Sequence, residues 1–206
     1  MSLADFGYVN YLNQFDAATE RSPEDTVARV IAEHKERYVV VTQNGELDAE
    51  ITGNMRYSAQ TRADFPAVGD WVGLQIYDEY SAVIHTILPR FSVLQRQAVG
   101  QMADTQIIAT NINGALLLQA VNRDFNLNRL ERYLALCHAS GVRPIIVLSK
   151  IDLITPIELA DMLQTLRARI ADATIYAISN ETGEGLESLS QYLVAGETYC
   201  LLGPSD

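Results

Sequence analysis

Three short polar stretches are the residues of this chain that could carry chemistry, because each follows an apolar run of strand length. The apolar runs end at Leu148, Ile178 and Leu202. The polar stretches after them read Ser149-Lys150-Ile151-Asp152, Ser179-Asn180-Glu181-Thr182-Gly183 and Gly203-Pro204-Ser205-Asp206. Ligands of an open parallel sheet bind beyond the carboxyl ends of its strands. These three loops are therefore the candidate ligand site.

The first stretch resembles the guanine-specificity loop of GTPases, Asn-Lys-x-Asp, with Ser149 in the place of the asparagine. A carboxylate at Asp152 can accept hydrogen bonds from N1–H and the exocyclic amine of guanine, a pattern that adenine does not offer. The stem of Lys150 can lie along the plane of the base. Ser149 is shorter than asparagine and makes fewer hydrogen bonds. A solvated turn is the alternative interpretation.

The second stretch resembles the Ser-Ala element of GTPases, which presents a backbone N–H to the guanine O6. Ser179 keeps the serine, while Asn180 replaces the alanine and retains the backbone amide. An ordinary polar turn is the alternative. From the two stretches together we expect five guanine-binding residues, which are Ser149, Lys150, Asp152, Ser179 and Asn180.

The third stretch resembles the beginning of a P-loop, Gly-x-x-x-x-Gly-Lys-Ser/Thr. The backbone N–H groups of such a loop wrap phosphates, its lysine supplies charge and its hydroxyl binds Mg²⁺. Gly203, Pro204, Ser205 and Asp206 would be its first residues. The lysine and the hydroxyl would lie after Asp206, and an ordinary chain end is the alternative. No pair of nucleophile and base stands out, so we predict no catalytic residue in this chain.

The elements that must position these loops alternate between strand and helix. Apolar runs predict strands at 114–120, 144–148, 174–178 and 198–202, and helical patterns lie between them. This alternation is typical of a parallel sheet with right-handed crossovers. By analogy with ordinary GTPases we expect the sheet order 198–202, 114–120, 144–148, 174–178, in which 198–202 is an exposed edge strand.

The earlier part of the chain has short strands instead. They are predicted at 26–32, 37–42, 46–52, 71–77 and 81–88. Asn44-Gly45 is a hairpin signal, and five such strands predict a small closed barrel of the OB type. A barrel of this kind can bind oligonucleotides on one face, and a packing module is the alternative. Four aromatic residues before it, at near-helical spacing, predict a short helix packed on the body; they are Phe6, Tyr8, Tyr11 and Phe15.

The predicted fold class is an N-terminal all-β OB-type barrel followed by a partial α/β domain with a mostly parallel sheet. The expected organisation has four parts. They are an N-terminal extension at 1–24, the barrel at 25–97, a linker at 98–110 and the partial α/β domain at 111–206.

Composition narrows the classes of function. The 206 residues are 48% hydrophobic and carry a net charge of −11, with no basic half, which argues against RNA binding through bulk charge. No apolar run approaches the roughly 18 residues that span a bilayer, so we expect no membrane contact and a cytoplasmic location. Neither the two cysteines nor the three histidines have metal-ligand spacing, so we predict no metal site.

Loop order makes the resemblance specific. Most GTPases have the P-loop first, whereas here the base-recognition loops come first and the P-loop start comes last. This order behind an OB barrel is similar to the ribosome small-subunit-dependent GTPase A family, a family of circularly permuted GTPases. The stretches that carry the resemblance are Pro66–Val72, Ile108–Asn113, Asp124–Leu134 and Ile145–Leu153.

The resemblance implies GTP hydrolysis stimulated by the 30S ribosomal subunit during its late maturation, with the barrel contacting 16S rRNA. It also implies GTP or GDP with Mg²⁺ as the bound cofactor, and a zinc-binding segment near the carboxyl terminus of the complete protein. The magnesium ligands, both switch regions and the zinc segment would lie after Asp206. We therefore expect a chain that is truncated within its P-loop and is catalytically incompetent alone.

Two other classes of function stay open at this point. The first is a non-catalytic OB-fold module that binds RNA or the ribosome, with the α/β part as a scaffold. The second is a dinucleotide enzyme, which is disfavoured because no Gly-x-Gly-x-x-Gly follows any predicted strand.

Overall fold

The computed structural model describes residues 2–15, 26–35, 37–97, 105–122, 125–171 and 173–204. The chain divides into two compact units. The first comprises Met1–Ile112 with Ala195–Thr198, and the second comprises Asn113–Val194 with Tyr199–Asp206. The barrel lies in the first unit and the parallel sheet in the second.

The first unit contains a closed five-stranded barrel. Its strands are β1 Thr26–His34, β2 Arg37–Thr42, β3 Gly45–Ile51, β4 Trp71–Ile76 and β5 Ser81–Ile87. They close in the order β1-β2-β3-β5-β4, and β1 pairs with β4. The β3–β5 pair is parallel and the other pairs are antiparallel. This Greek-key order confirms the predicted OB-type barrel.

The barrel interior is filled by side chains that alternate along each strand, as the two-residue period of a strand requires. The largest fully buried side chains there are Tyr38, Leu74 and Ile84. The predicted hairpin turn at Asn44-Gly45 joins β2 to β3, and Gly45 has the positive φ of 127° that favours glycine. A short helix, Gly53–Ser58, follows β3.

The predicted N-terminal helix is present as a single short helix, Tyr8–Leu12. Its rings lie against the indole of Trp71, with the Tyr8 and Tyr11 centroids 4.7 and 5.7 Å from that ring. The Tyr11 hydroxyl also donates to the carbonyl of Pro89 at 2.9 Å. Burial of aromatic area therefore holds this segment on the barrel.

A two-stranded sheet follows the barrel, made of β6 Val93–Gln97 and β7 Thr105–Thr110. The strands are antiparallel and pair from Val93↔Thr110 to Gln97↔Thr105. The sequence predicts 98–110 as a linker, whereas its second half forms a strand; residues 98–104 lie outside the described ranges. Residues 105–110 form a strand because they pair with β6, and their own sequence does not indicate that partner.

A buried carboxylate organises the end of the first unit. The Asp70 side chain is fully buried and receives two hydrogen bonds from Arg90, at 2.6 and 2.7 Å. It also accepts the backbone N–H of Ala67 at 2.8 Å and the hydroxyl of Thr110 at 2.6 Å. Four donors therefore compensate the cost of burying this charge.

The glycine beside this carboxylate allows two backbone segments to meet. Gly69 has φ of 98°, and a Cβ there would lie 2.1 Å from the carbonyl oxygen of Thr110. The Asn111 side chain donates to the Gly69 carbonyl at 3.0 Å. Two of the stretches that carry the family resemblance, Pro66–Val72 and Ile108–Asn113, thus contact each other at a position that only glycine fits.

The second unit contains a four-stranded parallel sheet in the order β10-β9-β8-β11. Its strands are β8 Gly114–Ala120, β9 Arg143–Ser149, β10 Ile175–Ala177 and β11 Tyr199–Leu202. This is the order predicted from the sequence. The crossover helices, numbered after the two helices of the first unit, are α3 Leu127–Ala139, α4 Pro156–Arg169 and α5 Leu186–Tyr192.

Capping residues set where the longer helices begin. The Asn126 side chain accepts the Arg129 N–H at 3.0 Å at the start of α3. Thr155 and Glu158 form a capping box at the start of α4, with bonds of 2.8 and 3.3 Å between side chains and backbone. The strand ends are thereby followed by helices that start at defined positions.

We predict that Asp70→Ala destabilises the first unit by about 3–5 kcal/mol, because Arg90 would keep a largely buried charge without its carboxylate. Trp71 is the only tryptophan of the chain and lies in this unit, so its fluorescence during urea unfolding reports the loss. The exposed carboxylate Asp48 provides the control, since Asp48→Ala should change stability by less than about 0.5 kcal/mol. Equal effects of the two substitutions would contradict the role assigned to Asp70.

Candidate nucleotide-binding site

The parallel sheet brings two of the three polar loops side by side. Strands β9 and β10 are neighbours, with Leu148 paired to Ala177, so their carboxyl ends lie at the same edge. Strand β11 ends at that edge too, but β8 separates it from β9. At about 4.8 Å between strands, the start of the third loop lies roughly 10 Å from the first.

The first loop turns sharply at Lys150. This residue has left-handed φ and ψ of 63° and 36°, and a 3-10 turn follows at Ile151–Leu153. Ile151 is buried, and its N–H donates to the carbonyl of Ile178 at 3.3 Å. Because the apolar residue points inward, Lys150 and Asp152 on either side of it are exposed.

A side-chain hydrogen bond joins the first loop to the second. The hydroxyl of Ser179 donates to Oδ1 of Asp152 at 2.5 Å and accepts the N–H of Thr182 at 3.1 Å. Ser179 itself is fully buried, so its hydroxyl has a fixed position. An ionised carboxylate has about four lone-pair sites, and this bond uses one of them. Oδ2 and the rest of Oδ1 can therefore accept hydrogen bonds from a ligand.

Two glycines shape the second loop. Gly183 and Gly185 have φ of 78° and 74°, which is the left-handed region. A Cβ on Gly185 would lie 2.0 Å from the carbonyl oxygen of Ala177, whereas a Cβ on Gly183 would meet no atom within 4 Å. The N–H of Ser179 donates to the carbonyl of Glu184 at 3.0 Å, which closes the loop on itself. Gly185 therefore permits the close return of the chain beneath Ser179.

The two loops enclose a pocket of about 280 Å³. Its lining consists of Ser149, Lys150, Asp152, Leu153, Asn180 and Glu181. The volume lies just below the roughly 300–1,000 Å³ of ordinary small-molecule sites, a size that suits one heterocyclic base. Leu153, 61% exposed, offers an apolar surface, and Asp152 offers acceptors.

The structure brings all five predicted guanine-contacting residues to this pocket or its wall. Four line it directly, and Ser179 holds Asp152 from behind. Leu153 and Glu181 also line the pocket, and sequence reasoning did not single them out. Both residues directly follow the two motifs in the sequence, and this adjacency could have indicated that they line the pocket.

The third loop begins as predicted, directly after β11. Gly203 lies against the central strand, where a Cβ would come within 3.3 Å of the Leu118 side chain. Its carbonyl accepts the hydroxyl of Tyr133 on α3 at 3.1 Å. Pro204 follows as an exposed residue, while Ser205 and Asp206 lie outside the described residues.

A buried amide near the end of β8 was not anticipated from the sequence. Gln119 is fully buried, and its Oε1 accepts the N–H of Asn126 at 3.3 Å and an Arg129 nitrogen at 3.4 Å. It thus fastens the beginning of α3 to the sheet. The signal for it was a lone polar residue inside the apolar run Gly114–Ala120.

The cysteines and histidines take no part in this site. Burial raises the pKa of Cys137 and of Cys200 to about 11, so both stay protonated thiols at neutral pH. Across the described ranges no group of three histidine, cysteine or acidic side chains converges as a metal site. None of the helices described there is long and apolar enough to cross a membrane.

Comparison with known proteins identifies the family to which this chain belongs. The model of the RsgA GTPase family matches residues 87–206, more than half of the chain and all three loops. The chain belongs to the RsgA GTPase family. The pocket residues and all three loops therefore lie within the part of the chain that matches this family.

Curated RsgA proteins match most of this chain. It is 45% identical over 183 residues to small ribosomal subunit biogenesis GTPase RsgA 2 of Lactiplantibacillus plantarum, covering 87% of this chain and 50% of that protein. It is 38% identical over 187 residues to the RsgA of Opitutus terrae, covering 86% and 50%. The chain thus spans about half the length of the curated relatives it matches.

Two solved structures share the fold. YjeQ from Thermotoga maritima superposes with a TM-score of 0.70 at 20% identity, covering 88% of this chain and 61% of that one. YloQ, described as a circularly permuted GTPase, superposes with a TM-score of 0.66 at 22% identity, covering 92% and 63%. The predicted combination of an OB-type barrel and a circularly permuted GTPase fold is confirmed.

We predict that Gly185→Ala destabilises the second unit by about 1–3 kcal/mol more than Gly183→Ala, because only the first adds a clash with a backbone carbonyl. Both variants share the strain of a left-handed alanine, about 1–2 kcal/mol, so their difference isolates the clash. Urea unfolding followed by circular dichroism at the helical band measures it, since α3, α4 and α5 all lie in this unit. Equal stabilities would contradict the close approach at Ala177.

Proposed function

We propose that this chain supplies the guanine-recognition part of an RsgA-type GTPase site. The observation that carries the proposal is the hydrogen bond from Ser179 to Asp152 at the mouth of a base-sized pocket. It orients the carboxylate before any ligand arrives, which lowers the entropy cost of binding. Guanine offers N1–H and an amine to such a carboxylate, whereas adenine offers an acceptor at N1.

The other members of the pocket have separate roles in this proposal. The stem of Lys150 covers one face of the base, and Leu153 adds apolar contact. The backbone N–H of Asn180 donates to the guanine O6. Ser149 lines the pocket with a hydroxyl where the family pattern has an amide, so we expect a looser connection among the loops than asparagine would give.

The phosphate end of the proposed site begins at Gly203. Backbone N–H groups of a P-loop there would wrap the phosphates of GTP or GDP, and Mg²⁺ would complete the charge balance. In the complete protein we propose GTP hydrolysis coupled to maturation of the small ribosomal subunit, in keeping with the names of the relatives. The proposed partners are the 30S subunit and its 16S rRNA.

The 206 residues alone should bind guanine nucleotides weakly and hydrolyse none. They contain the base pocket but only the first four residues of the P-loop pattern. We expect a Kd for GDP near or above about 1 mM, with GDP preferred to ADP and no effect of Mg²⁺. Ligand-observed nuclear magnetic resonance measures this range. Tight, magnesium-dependent binding would contradict the weak-binding proposal, and equal weak binding of GDP and ADP would favour the non-catalytic module.

We predict that Asp152→Asn reverses the base preference from guanine to xanthine. The Oδ1 of an asparagine can still accept the Ser179 hydroxyl, which leaves its Nδ2 donor facing the pocket. Xanthine has a carbonyl oxygen where guanine has its amine, so GDP should weaken about tenfold or more while xanthosine diphosphate gains. Competition between the two diphosphates in the same resonance experiment measures the reversal. Unchanged preference would remove Asp152 from base recognition.

A further inference from the structure

A groove lies on the outer face of the barrel. Its volume is about 450 Å³, and it belongs wholly to the first unit. Strands β2, β3 and β5 supply its floor, with Val39 and Val83 among the apolar residues there. The β1–β2 turn borders it through His34 and Arg37, and the β4–β5 turn through Tyr77.

OB barrels bind oligonucleotides on this face and with these two turns, yet its charge here has the wrong sign for phosphate. All three outward side chains along the middle of β3 are exposed carboxylates: Asp48 and Glu50 line the groove, and Glu46 continues the row outside it. Asp78 and Glu79 add two more on the β4–β5 turn. Among the lining residues Asp48 and Glu50 are acidic and Arg37 is basic, and outside the lining Lys35 on the β1–β2 turn is outnumbered by the carboxylates. The charge therefore suits a cationic ligand.

Two aromatic rings stand on the β4–β5 turn. Tyr77 and Tyr80 are 65% and 69% exposed, although aromatic side chains ordinarily bury their rings. The turn that carries them is ordered, because Asp78 accepts the Tyr80 N–H at 2.8 Å and the Tyr77 N–H donates to Ser81 at 3.0 Å. Exposed aromatic faces attract lysine and arginine side chains. Tyr77 lines the groove and Tyr80 lies outside its lining, so the exposed ring of Tyr77 is the second feature of the groove that favours a cationic ligand.

The spacing of the carboxylates indicates the shape of that ligand. Alternate residues of a strand lie about 6.8 Å apart on one face, and an extended peptide presents its own alternate side chains at the same interval. The ion pair between Arg37 and Glu50 does not block the row, since its 3.7 Å contact joins side chains that are 81% and 62% exposed. Exposed pairs of this kind contribute little and exchange readily.

We propose that this groove binds an extended basic segment of a partner protein, with lysine or arginine at alternate positions. The basic side chains would lie over Glu46, Asp48 and Glu50, and a flanking one would stack on Tyr77. This interaction goes beyond guanine-nucleotide recognition and is independent of it. Any contact of the barrel with RNA then belongs to another of its surfaces.

The test uses the 206-residue chain and a fluorescein-labelled decapeptide that alternates arginine and serine. Fluorescence anisotropy should show binding that the double variant Asp48→Lys, Glu50→Lys weakens about tenfold or more. Tyr77→Ala should weaken it about threefold and Tyr77→Phe should not, because phenylalanine keeps the aromatic face. The matched control is Asp161→Lys, Glu187→Lys, two exposed carboxylates on α4 and α5 that give the same change in net charge.

The control double variant should weaken peptide binding less than about twofold. Equal weakening by both double variants would overturn the proposal, because binding would then follow bulk charge. Absence of peptide binding would overturn it too, as would a uridine decanucleotide that binds the chain more tightly and competes with the peptide. Trp71 fluorescence and circular dichroism verify folding, and Asp48→Asn, Glu50→Gln replaces any reversal variant that does not fold, with the same ordering expected.

Discussion

Parallel pairing of β9 with β10 is the constraint on which the candidate site depends. The N–H of Ile178 donates to the carbonyl of Leu148 at 2.8 Å, so both strands release their chains at the same level. Ser179 and Asp152 are 27 residues apart in sequence, and only this register brings their side chains to 2.5 Å. A shift by one residue would turn Ser179 to the opposite face of the sheet and separate them.

In the first unit, the buried pair of Asp70 and Arg90 fixes the local geometry, as strand register does in the second unit. The Asp70 carboxylate is fully buried, and Arg90, Thr110 and a backbone N–H all donate hydrogen bonds to it. Such pairs define geometry more than they add stability, since a well-packed apolar replacement is often as stable. Here the geometry is the contact of Pro66–Val72 with Ile108–Asn113. The resemblance in those stretches therefore has a structural cause and does not itself indicate ligand binding.

Elements that local patterns determine could be predicted from the sequence, whereas contacts between residues distant in sequence could not. The barrel strands follow from two-residue periodicity and turn residues, which are local, whereas the sheet order was predicted by analogy with ordinary GTPases. The sequence predicts a linker where the structure has strand β7, because the residues of β7 do not themselves indicate pairing with β6. The hydrogen bond from Ser179 to Asp152 is likewise visible only in the structure. Motif position predicted where Ser179 would lie but not which atom its hydroxyl would contact.

Circular permutation separates two tasks that a nucleotide site combines. A base is selected by a few directed hydrogen bonds, whereas charged phosphates accept charge-assisted hydrogen bonds, which are roughly twice as strong as neutral ones. The chain order here puts the two candidate base loops first, and the sheet places the start of the third loop at the same edge, with β8 lying between β9 and β11. Because β9 and β10 are neighbours both along the chain and in the sheet, the loops after these two strands suffice to form the candidate base pocket. In the proposed function, guanine selectivity would therefore belong to the loops after β9 and β10, whereas affinity would depend on the proposed phosphate loop that begins at Gly203.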